Sequence, residues 1–266
     1  MTNSTDSGNR EARVSQVGAP PVVVAMVVHQ PCPWLEEVVA SLASQDYPNL
    51  QTLFFLTGAA SSPTASSPNT ENDIIRDTLP RAVIRQVEGN PGYGPLMNEV
   101  SRLVEGESGI FCFMHDDVAL DSNAISSMIE EMFRSNAGVV GPKIVMWDDI
   151  SILQSVGLGA DRIGDINSNI EEGEKDQEQH DAVRDVFLIP SACMLVRADL
   201  FREIGGFSPD IPLFGEDLEF CWRTHLSGAR VLVAPTARVR HRKEMDATRS
   251  VATMSALEAR HRVRTV

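Results

Sequence analysis

Short apolar runs alternate with segments of helical periodicity along most of this chain. The apolar runs predict strands at residues 22–28, 50–57, 82–87, 110–114, 139–145 and 230–235, and a further run returns the chain to the core at 186–196. Between these runs, apolar residues recur at helical spacing, which predicts helices at 34–45, 74–79, 96–104, 122–136, 199–204 and 218–226. A strand, a short loop and a helix at the start are typical of a nucleotide-binding α/β unit, and 266 residues suffice for one large domain or two small ones.

The most informative of these strands ends in acids. Residues 110–114 are apolar and are followed at once by His115, Asp116 and Asp117. A continuous apolar run is typical of a buried parallel strand, and parallel sheets bind ligands at the carboxyl ends of their strands. Two adjacent carboxylates repel each other, which favours a site for a hard cation such as Mg²⁺ or Mn²⁺ that carries substrate phosphates. The alternative is a structural turn, because Asp pairs are common in turns and helix caps.

Three other polar segments carry weaker signals. The loop at 90–95 holds two glycines before a helix and could cradle phosphate, although it matches neither the P-loop nor the dinucleotide fingerprint. Glu216 and Asp217 stand at the start of the helix at 218–226. One carboxylate there is an ordinary helix cap, but capping does not require two. The stretch 161–185 is rich in Gly, Asn, Glu and Asp, which predicts an exposed excursion whose acids face solvent.

Charge is unevenly distributed along the sequence. Overall, 23 Lys and Arg stand against 37 Asp and Glu, a formal charge of −14, which argues against nucleic acid as a partner. Residues 238–266 reverse the sign, with eight basic against three acidic side chains. This basic end suits a membrane surface with anionic lipid, or phosphates; a solvated helix is the commoner meaning of such a run.

Cysteine usage and the two ends bear on location. No CxxC pair exists, which favours reduced thiols in a cytosolic compartment over a disulfide framework or a zinc site; the four cysteines are Cys32, Cys112, Cys193 and Cys221. No signal peptide opens the chain and no apolar run approaches 18 residues, so no span of a membrane is predicted. We expect residues 1–19 to be a flexible leader and residues 246–266 to be a basic helix cut from a longer protein.

Three stretches, in this order, form a specific pattern: MHDDV at 114–118; SACMLVR, IGGF and FGEDLEFCWR at 191–197, 204–207 and 214–223; and VRH at 239–241. Together they resemble the family 2 glycosyltransferases, a large inverting group with the GT-A fold. MHDDV stands at that family's DxD metal motif, the middle block is similar to its acceptor-side block with an ED pair, and VRH resembles its late metal-binding histidine. The likeness covers about residues 20–245 and is closest to catalytic domains of large, membrane-associated actinobacterial members, some described as rhamnosyltransferase-like.

The resemblance implies an α/β fold of the GT-A, Rossmann-like type, with a mixed, mostly parallel sheet flanked by helices in a single domain. It also implies roles for the acids. Asp117 would bind the divalent metal, Mn²⁺ or Mg²⁺, that holds the donor diphosphate, with Asp116 beside it touching ribose or metal and His241 completing the metal's shell. Asp217 would be the general base that takes the proton of the acceptor hydroxyl, and Glu216 would orient acceptor or base.

The same resemblance places the nucleotide-sugar near His29, Thr57, Gly94 and Asn98, and near His115 in the first DxD position. Two departures from the family pattern matter for specificity. His115 replaces a carboxylate, which shifts metal choice toward softer ions. Thr57 stands where many relatives carry an acid that reads the base, so the donor nucleoside stays open. The processive QxxRW motif is absent, which favours single additions.

The implied function is transfer of a sugar from a nucleoside-diphosphate sugar to a cell-envelope glycan or lipid-linked acceptor, at the cytoplasmic face of the membrane. A second hypothesis is a non-catalytic GT-A domain that binds a sugar nucleotide or a glycan partner, with His115 marking lost activity. Asp217 discriminates between the two, because a binding domain needs no base. A nucleotidyltransferase ranks third, since it needs a glycine-rich, basic loop after the first strand, where this chain has HQPCP at 29–33.

Overall fold

The computed structural model describes residues 18–29, 32–58, 71–104 and 109–243. Its first half contains β1 (Val22–Val28), α1 (Leu35–Ala43), β2 (Leu50–Leu56), α2 (Glu71–Thr78), β3 (Val83–Gln86), α3 (Tyr93–Leu103), β4 (Ile110–His115), β5 (Val118–Leu120) and α4 (Ala124–Arg134). The second half contains β6 (Val139–Met146), β7 (Leu153–Ser155), β8 (Leu158–Ala160), β9 (Ile166–Ser168), β10 (Arg184–Asp185), β11 (Cys193–Arg197), α5 (Ala198–Glu203), α6 (Glu216–Leu226) and β12 (Val231–His241).

The main sheet is mixed, and its order is β10-β12-β6-β11-β4-β1-β2-β3. Its three longest pairings are parallel: β12 with β6, β1 with β2, and β1 with β4. The strand β11 runs antiparallel between β4 and β6. This is the mixed, mostly parallel α/β sheet that the family resemblance implies.

Both faces of the sheet are covered by helices. Strand β1 is therefore buried on both sides, and its sequence is apolar throughout. Val22, Val24 and Met26 point into one core, while Val23 and Ala25 point into the other. The first core is completed by α1, α2 and α4, and the second by α3, α5 and α6. A strand buried on both faces has no polar side to alternate with, so it reads as a continuous apolar run.

The last strand is longer than the sequence predicted. The prediction ended at residue 235, whereas β12 continues to His241 after a shift in register between Ala234 and Arg238. Pro235 lies in this irregularity, where the missing N–H of proline costs no ladder hydrogen bond. Beyond the shift, β12 pairs with both β6 and β5, and this pairing brings His241 to the carboxyl end of the sheet.

The run 186–196 returns the chain to the core as the sequence predicts: Val186, Leu188 and Ile189 are buried, and the strand itself begins at Cys193. The helix α4 has no side-chain cap hydrogen bond from its own N-cap residue; instead Ile125 N–H donates to Gln45 Oε1 at 3.1 Å. The excursion at 161–185 was predicted to have acids that face solvent, but two of its acids pair with a lysine of the sheet.

Two acids of that excursion hold a buried cation. Lys143 on β6 is 4% exposed, and its ammonium donates to both carboxylate oxygens of Asp176 at 2.9 Å and also to Asp181. Burying a lysine is costly unless it is paired, so these two ion pairs tie the excursion to the sheet.

The predicted leader at 1–19 lies almost wholly outside the described residues, and the predicted basic helix at 246–266 lies wholly outside them. Among the helices that the structure describes, none combines the length and the apolar character needed to cross a bilayer.

Candidate active site

The predicted site residues follow strands whose carboxyl ends share one edge of the sheet. Strands β1, β2 and β4 are parallel neighbours, so the residues after them, His29, Thr57 and Asp116, emerge together. On the other side, His241 at the end of β12 pairs with Val118 of β5. This register places His241 beside Asp117, which lies between β4 and β5.

One cluster at this edge has the spacing of a metal site. Nε2 of His241 lies 3.3 Å from Oδ1 of Asp117, and Nδ1 of His115 lies 4.0 Å from the same oxygen. One ligand atom from each of the three residues lies within 4.8 Å of the other two. Ions bound at about 2.0–2.2 Å hold neighbouring ligand atoms roughly 3–4 Å apart. The two distances to Asp117 Oδ1, 3.3 and 4.0 Å, fall in this range.

The environment of this cluster keeps His115 neutral. Burial lowers the pKa of His115 to about 4, which outweighs the opposing effect of Asp117. A neutral imidazole retains a lone pair for a metal. Asp117 is 2% exposed, and a buried carboxylate between two histidines is well suited to meet a positive ion.

Asp116 faces a different direction from Asp117. Its carboxylate accepts a hydrogen bond from the backbone N–H of His29 at the end of β1, and its carbonyl oxygen accepts the indole N–H of Trp34 at 2.9 Å. Burial, and then repulsion from Asp117, raises the pKa of Asp116 to about 7. The structure thus brings Asp116 to the β1 side, and it is not one of the three residues with metal-site spacing.

A second group lies at the ends of β1 and β2. Nδ1 of His29 is 2.9 Å from Oγ1 of Thr57, and Nε2 of His29 is 3.4 Å from the amide of Asn90. Gly58 follows with φ +54, and an added Cβ would lie 2.6 Å from the His29 ring. The predicted nucleotide residues His29 and Thr57 are therefore in contact, and Asn90 joins them without having been predicted.

Gly94 and Asn98 have packing roles in this structure. The side-chain amide of Asn98 donates to Phe207 O at 2.8 Å and its oxygen accepts from Phe207 N at 2.8 Å, so both ends are used to hold the turn after α5. Gly94 N–H donates to Pro212 O, and a Cβ at Gly94 would lie 3.3 Å from Ile211 O. The structure does not bring these two residues into the groups described above.

The two acids at the start of α6 converge on Ser191. Its hydroxyl donates to Glu216 Oε1 at 2.9 Å, and its backbone N–H donates to Asp217 Oδ2 at 3.1 Å. The residue before the helix is Gly215, with φ +96, and the helix has no side-chain cap hydrogen bond. The acids are thus directed toward Ser191 rather than used as an ordinary cap.

The two acids differ in burial and in the hydrogen bonds that they accept, and therefore in the pKa of each carboxyl group. Glu216 is 3% exposed, and burial together with repulsion from Asp217 raises its pKa to about 8. Asp217 is partly exposed and accepts two backbone N–H hydrogen bonds, from Ser191 and Leu218, that favour its ionised form and oppose the raising of its pKa by burial. Near neutral pH the raised pKa keeps a proton on Glu216, and the two N–H donors favour the ionised form of Asp217.

A single cavity of about 530 Å³ connects the acid pair with the metal-type cluster; its lining includes His115, Asp117, Gln154, Ser191, Glu216, Asp217 and His241. Two of these residues had no predicted role. Ser191 opens one of the stretches that carry the family resemblance, which is the signal that could have marked it. Gln154 lies on the short strand β7, whose sequence gives no such signal.

The family model described as glycosyltransferase like family 2 matches residues 20–263. The chain belongs to this family. Among curated relatives, a pre-mycofactocin glycosyltransferase of Mycobacterium tuberculosis is 26% identical over 150 residues, which is 56% of this chain and 30% of the relative. The chain thus spans less than a third of the length of that curated relative.

Solved structures confirm the GT-A fold of this family member. GalNAc-T7, crystallised with UDP, GalNAc and Mn²⁺, aligns with a TM-score of 0.66 at 13% identity, over 84% of this chain and 43% of that one. The mannosyltransferase PcManGT of Pyrobaculum calidifontis, in complex with GDP-Man and Mn²⁺, aligns with a TM-score of 0.57 at 16% identity, over 85% and 58% of the two chains.

Proposed function

We propose that this chain is the catalytic domain of an inverting glycosyltransferase that moves a hexose or deoxyhexose from a nucleoside-diphosphate sugar to an acceptor hydroxyl. The observation that carries the proposal is the shared cavity, in which a partly exposed carboxylate, Asp217, faces the same space as the Asp117 and His241 pair. Membership of family 2 and the GT-A fold support it.

On the donor side, Asp117 and His241 would hold a divalent metal, Mn²⁺ or Mg²⁺. When bound, such an ion offsets the negative charge that builds on the diphosphate as it leaves. On the same side, His29 and Thr57 form a contacting pair at the strand ends. The Asp116 carboxylate accepts a hydrogen bond from the backbone N–H of His29. We assign the nucleoside to this pair.

On the acceptor side, Asp217 takes the proton of the acceptor hydroxyl while the hydroxyl oxygen forms its bond to the anomeric carbon. The bond from that carbon to the diphosphate oxygen breaks on the opposite face, and its electron pair leaves with the nucleoside diphosphate. Inversion follows from this single displacement. Glu216 accepts the hydroxyl hydrogen bond of Ser191 and stays protonated. It therefore adds no second negative charge beside the base, Asp217.

The proposed acceptor is a cell-envelope glycan or a lipid-linked sugar, at the cytoplasmic face of the membrane. The likeness to membrane-associated family members and the basic residues from 238 onward support this part. In the described residues, three of these cations pair with acids: Arg238 with Asp121, Arg240 with Glu37 and Arg242 with Asp148. Arg242 and Lys243 lie beyond the end of the last strand.

A donor screen tests the function. UDP, GDP, dTDP and CDP are each added with Mn²⁺ or with chelator, and the melting temperature is measured; release of nucleoside diphosphate from the matching donor sugars is then followed. A ligand at a hundredfold excess over its Kd stabilises the native state by about 2.7 kcal/mol, so the true donor nucleotide stands out. Binding with one nucleotide and turnover of its sugar donor support the enzyme. Binding without turnover in the presence of candidate acceptors favours the non-catalytic domain.

A further inference from the structure

A small hairpin, separate from the main sheet, forms part of the cavity lining. The strands β8 and β9 pair antiparallel with each other in a two-stranded sheet of their own. In this pairing Leu158 lies opposite Ser168, and Ala160 lies opposite Ile166. Side chains at opposite and at alternate positions of a hairpin share one face. Leu158, Ile166 and Ser168 all line the cavity, so this face of the hairpin is turned toward the space that also holds the acid pair.

Hydrogen bonds fix this hairpin at both ends. At its turn, Oδ1 of Asp161 accepts the backbone N–H of Ile163 at 2.9 Å and that of Asp165 at 2.8 Å. The backbone N–H of Asp161 donates in return to Asp165 O at 3.0 Å. At its base, Leu158 exchanges two backbone hydrogen bonds with Leu188. The hairpin is therefore preformed, and its cavity face does not depend on a ligand for its shape.

Large apolar side chains stand beside the two acids. Ile166 is 49% exposed although it lines the cavity, and Ile163 at the turn is exposed as well. Leu213 and Phe214, in the loop before α6, line the same cavity. Phe214 has φ +58, a left-handed conformation that is strained for a bulky residue, and its N–H donates to the Glu216 carboxylate. Such strain is concentrated at binding and active sites.

We propose that an apolar wall of this cavity binds an aliphatic or aromatic group attached to the acceptor sugar. The wall consists of Leu158, Ile166, Leu213 and Phe214. The inference rests on the proposed function, because an acceptor whose hydroxyl reaches Asp217 must lie in this cavity. Contact with the wall removes the apolar group from water, which is favourable in proportion to the area covered.

The chemistry of the lining decides between acceptor classes. A free glycan presents hydroxyls over most of its surface, and apolar side chains offer those hydroxyls no hydrogen-bond partners. The charged residues of the lining are Lys243 and four acids, of which Asp165 is next to Ile166 in the chain. An acid at this position disfavours a phosphate beside the wall. The wall therefore selects an uncharged chain or ring joined directly to the acceptor sugar, and a glycan without such a group binds more weakly.

Matched glycosides test the wall apart from sugar transfer. The probes are methyl and n-octyl glycosides of glucose, galactose and mannose, kept below the concentration at which the octyl compounds form micelles. Dissociation constants are measured by saturation-transfer NMR. For at least one sugar, we expect wild type to bind the octyl glycoside at least tenfold more tightly than the methyl glycoside. A smaller preference for all three sugars overturns the proposal.

Two isoleucine variants locate the binding. Ile166→Ser removes apolar surface from the wall, and Ile150→Ser is the matched control, because Ile150 is 48% exposed but lies outside the cavity lining. The preference for octyl over methyl glycoside should fall at least threefold in Ile166→Ser and stay at the wild-type value in Ile150→Ser. Equal preferences in the two variants overturn the assignment, whether both fall or neither does.

Nucleoside diphosphate binding in Mn²⁺ and turnover of the donor sugar separate this inference from the proposed function. If both are observed while methyl and octyl glycosides bind alike, the wall assignment fails and the glycosyltransferase function stands. If the octyl preference depends on Ile166 while no nucleoside diphosphate binds, the proposed function fails. The wall then remains as a binding site for apolar glycosides, and its role in accepting a sugar is overturned.

Discussion

The backbone N–H of Ser191 donates a hydrogen bond of 3.1 Å to Oδ2 of Asp217, joining the approach to β11 with the first turn of α6. Leu218 N–H donates to the other carboxylate oxygen at 2.8 Å. Both donors favour the ionised carboxylate and oppose the effect of burial, which raises the pKa of Asp217. Asp217 is therefore held in a fixed orientation by two backbone donors that favour its ionised form.

Asp217→Asn removes that proton acceptor and keeps its shape. We expect release of nucleoside diphosphate from the donor sugar to fall by about 10²- to 10⁴-fold, with the melting temperature and nucleotide affinity close to wild type. The control is Asp199→Asn, an exposed acid in the first turn of α5 that pairs with Arg197. Turnover near the wild-type rate in Asp217→Asn would remove Asp217 as the base.

Asp117→Ala removes the carboxylate that His241 faces. We expect nucleoside diphosphate to bind at least tenfold more weakly than to wild type in Mn²⁺, and equally well in chelator, because the lost affinity is the part carried by the ion. Asp117→Asn serves as a second variant that preserves volume at this buried position. Asp148→Ala is the control, since Asp148 is 88% exposed. Equal loss of affinity with and without Mn²⁺ would contradict a metal role.

The parts of this molecule predicted best from sequence are those whose residues are determined locally. The strand predicted at 22–28 has the same bounds as β1, because a strand buried on both faces must be apolar at every position. The acids after β4 were found for the same reason: the apolar run stops where the sheet edge begins. In each case the signal lies in neighbouring residues.

The parts that sequence missed depend on which distant residues meet. Gln154 lies 87 positions from His241, and the contact exists because β7 pairs with β6 and β6 pairs with β12. No local pattern encodes that register. In the same way, no local pattern indicates that the side-chain amide of Asn98 hydrogen-bonds to the backbone of Phe207, 109 positions away.

Lys143→Ala should loosen the excursion that it holds. Removing one partner of a buried ion pair leaves carboxylates without their cation, although Asp181 is half exposed and can regain water. We expect a loss of about 1–3 kcal/mol in free energy of unfolding and faster hydrogen exchange between residues 166 and 185. Arg230→Ala breaks the exposed pair with Asp185 and should cost less than about 1 kcal/mol. Equal costs for the two variants would show that Lys143 does not anchor the excursion.

Glu216→Gln should change how stability depends on pH. Because burial raises the folded-state pKa of Glu216 to about 8, above the ordinary 4.5, the folded protein holds this proton more tightly than the unfolded chain. The contribution to stability is therefore fully present below about pH 4.5, falls as pH rises, and is lost above about pH 8. The amide side chain introduced by Glu216→Gln cannot ionise, and its oxygen still accepts from the Ser191 hydroxyl.

Urea unfolding at pH 5 and pH 8.5 measures the difference. The free energy of unfolding of wild type should fall relative to Glu216→Gln by on the order of a few kcal/mol between these two values, since each unit of pKa shift corresponds to about 1.4 kcal/mol. Glu99→Gln, which alters an exposed pair with Arg102 on α3, should track wild type at both. If Glu216→Gln also tracks wild type, Glu216 is ionised without cost, and the acid pair does not keep its proton near neutral pH.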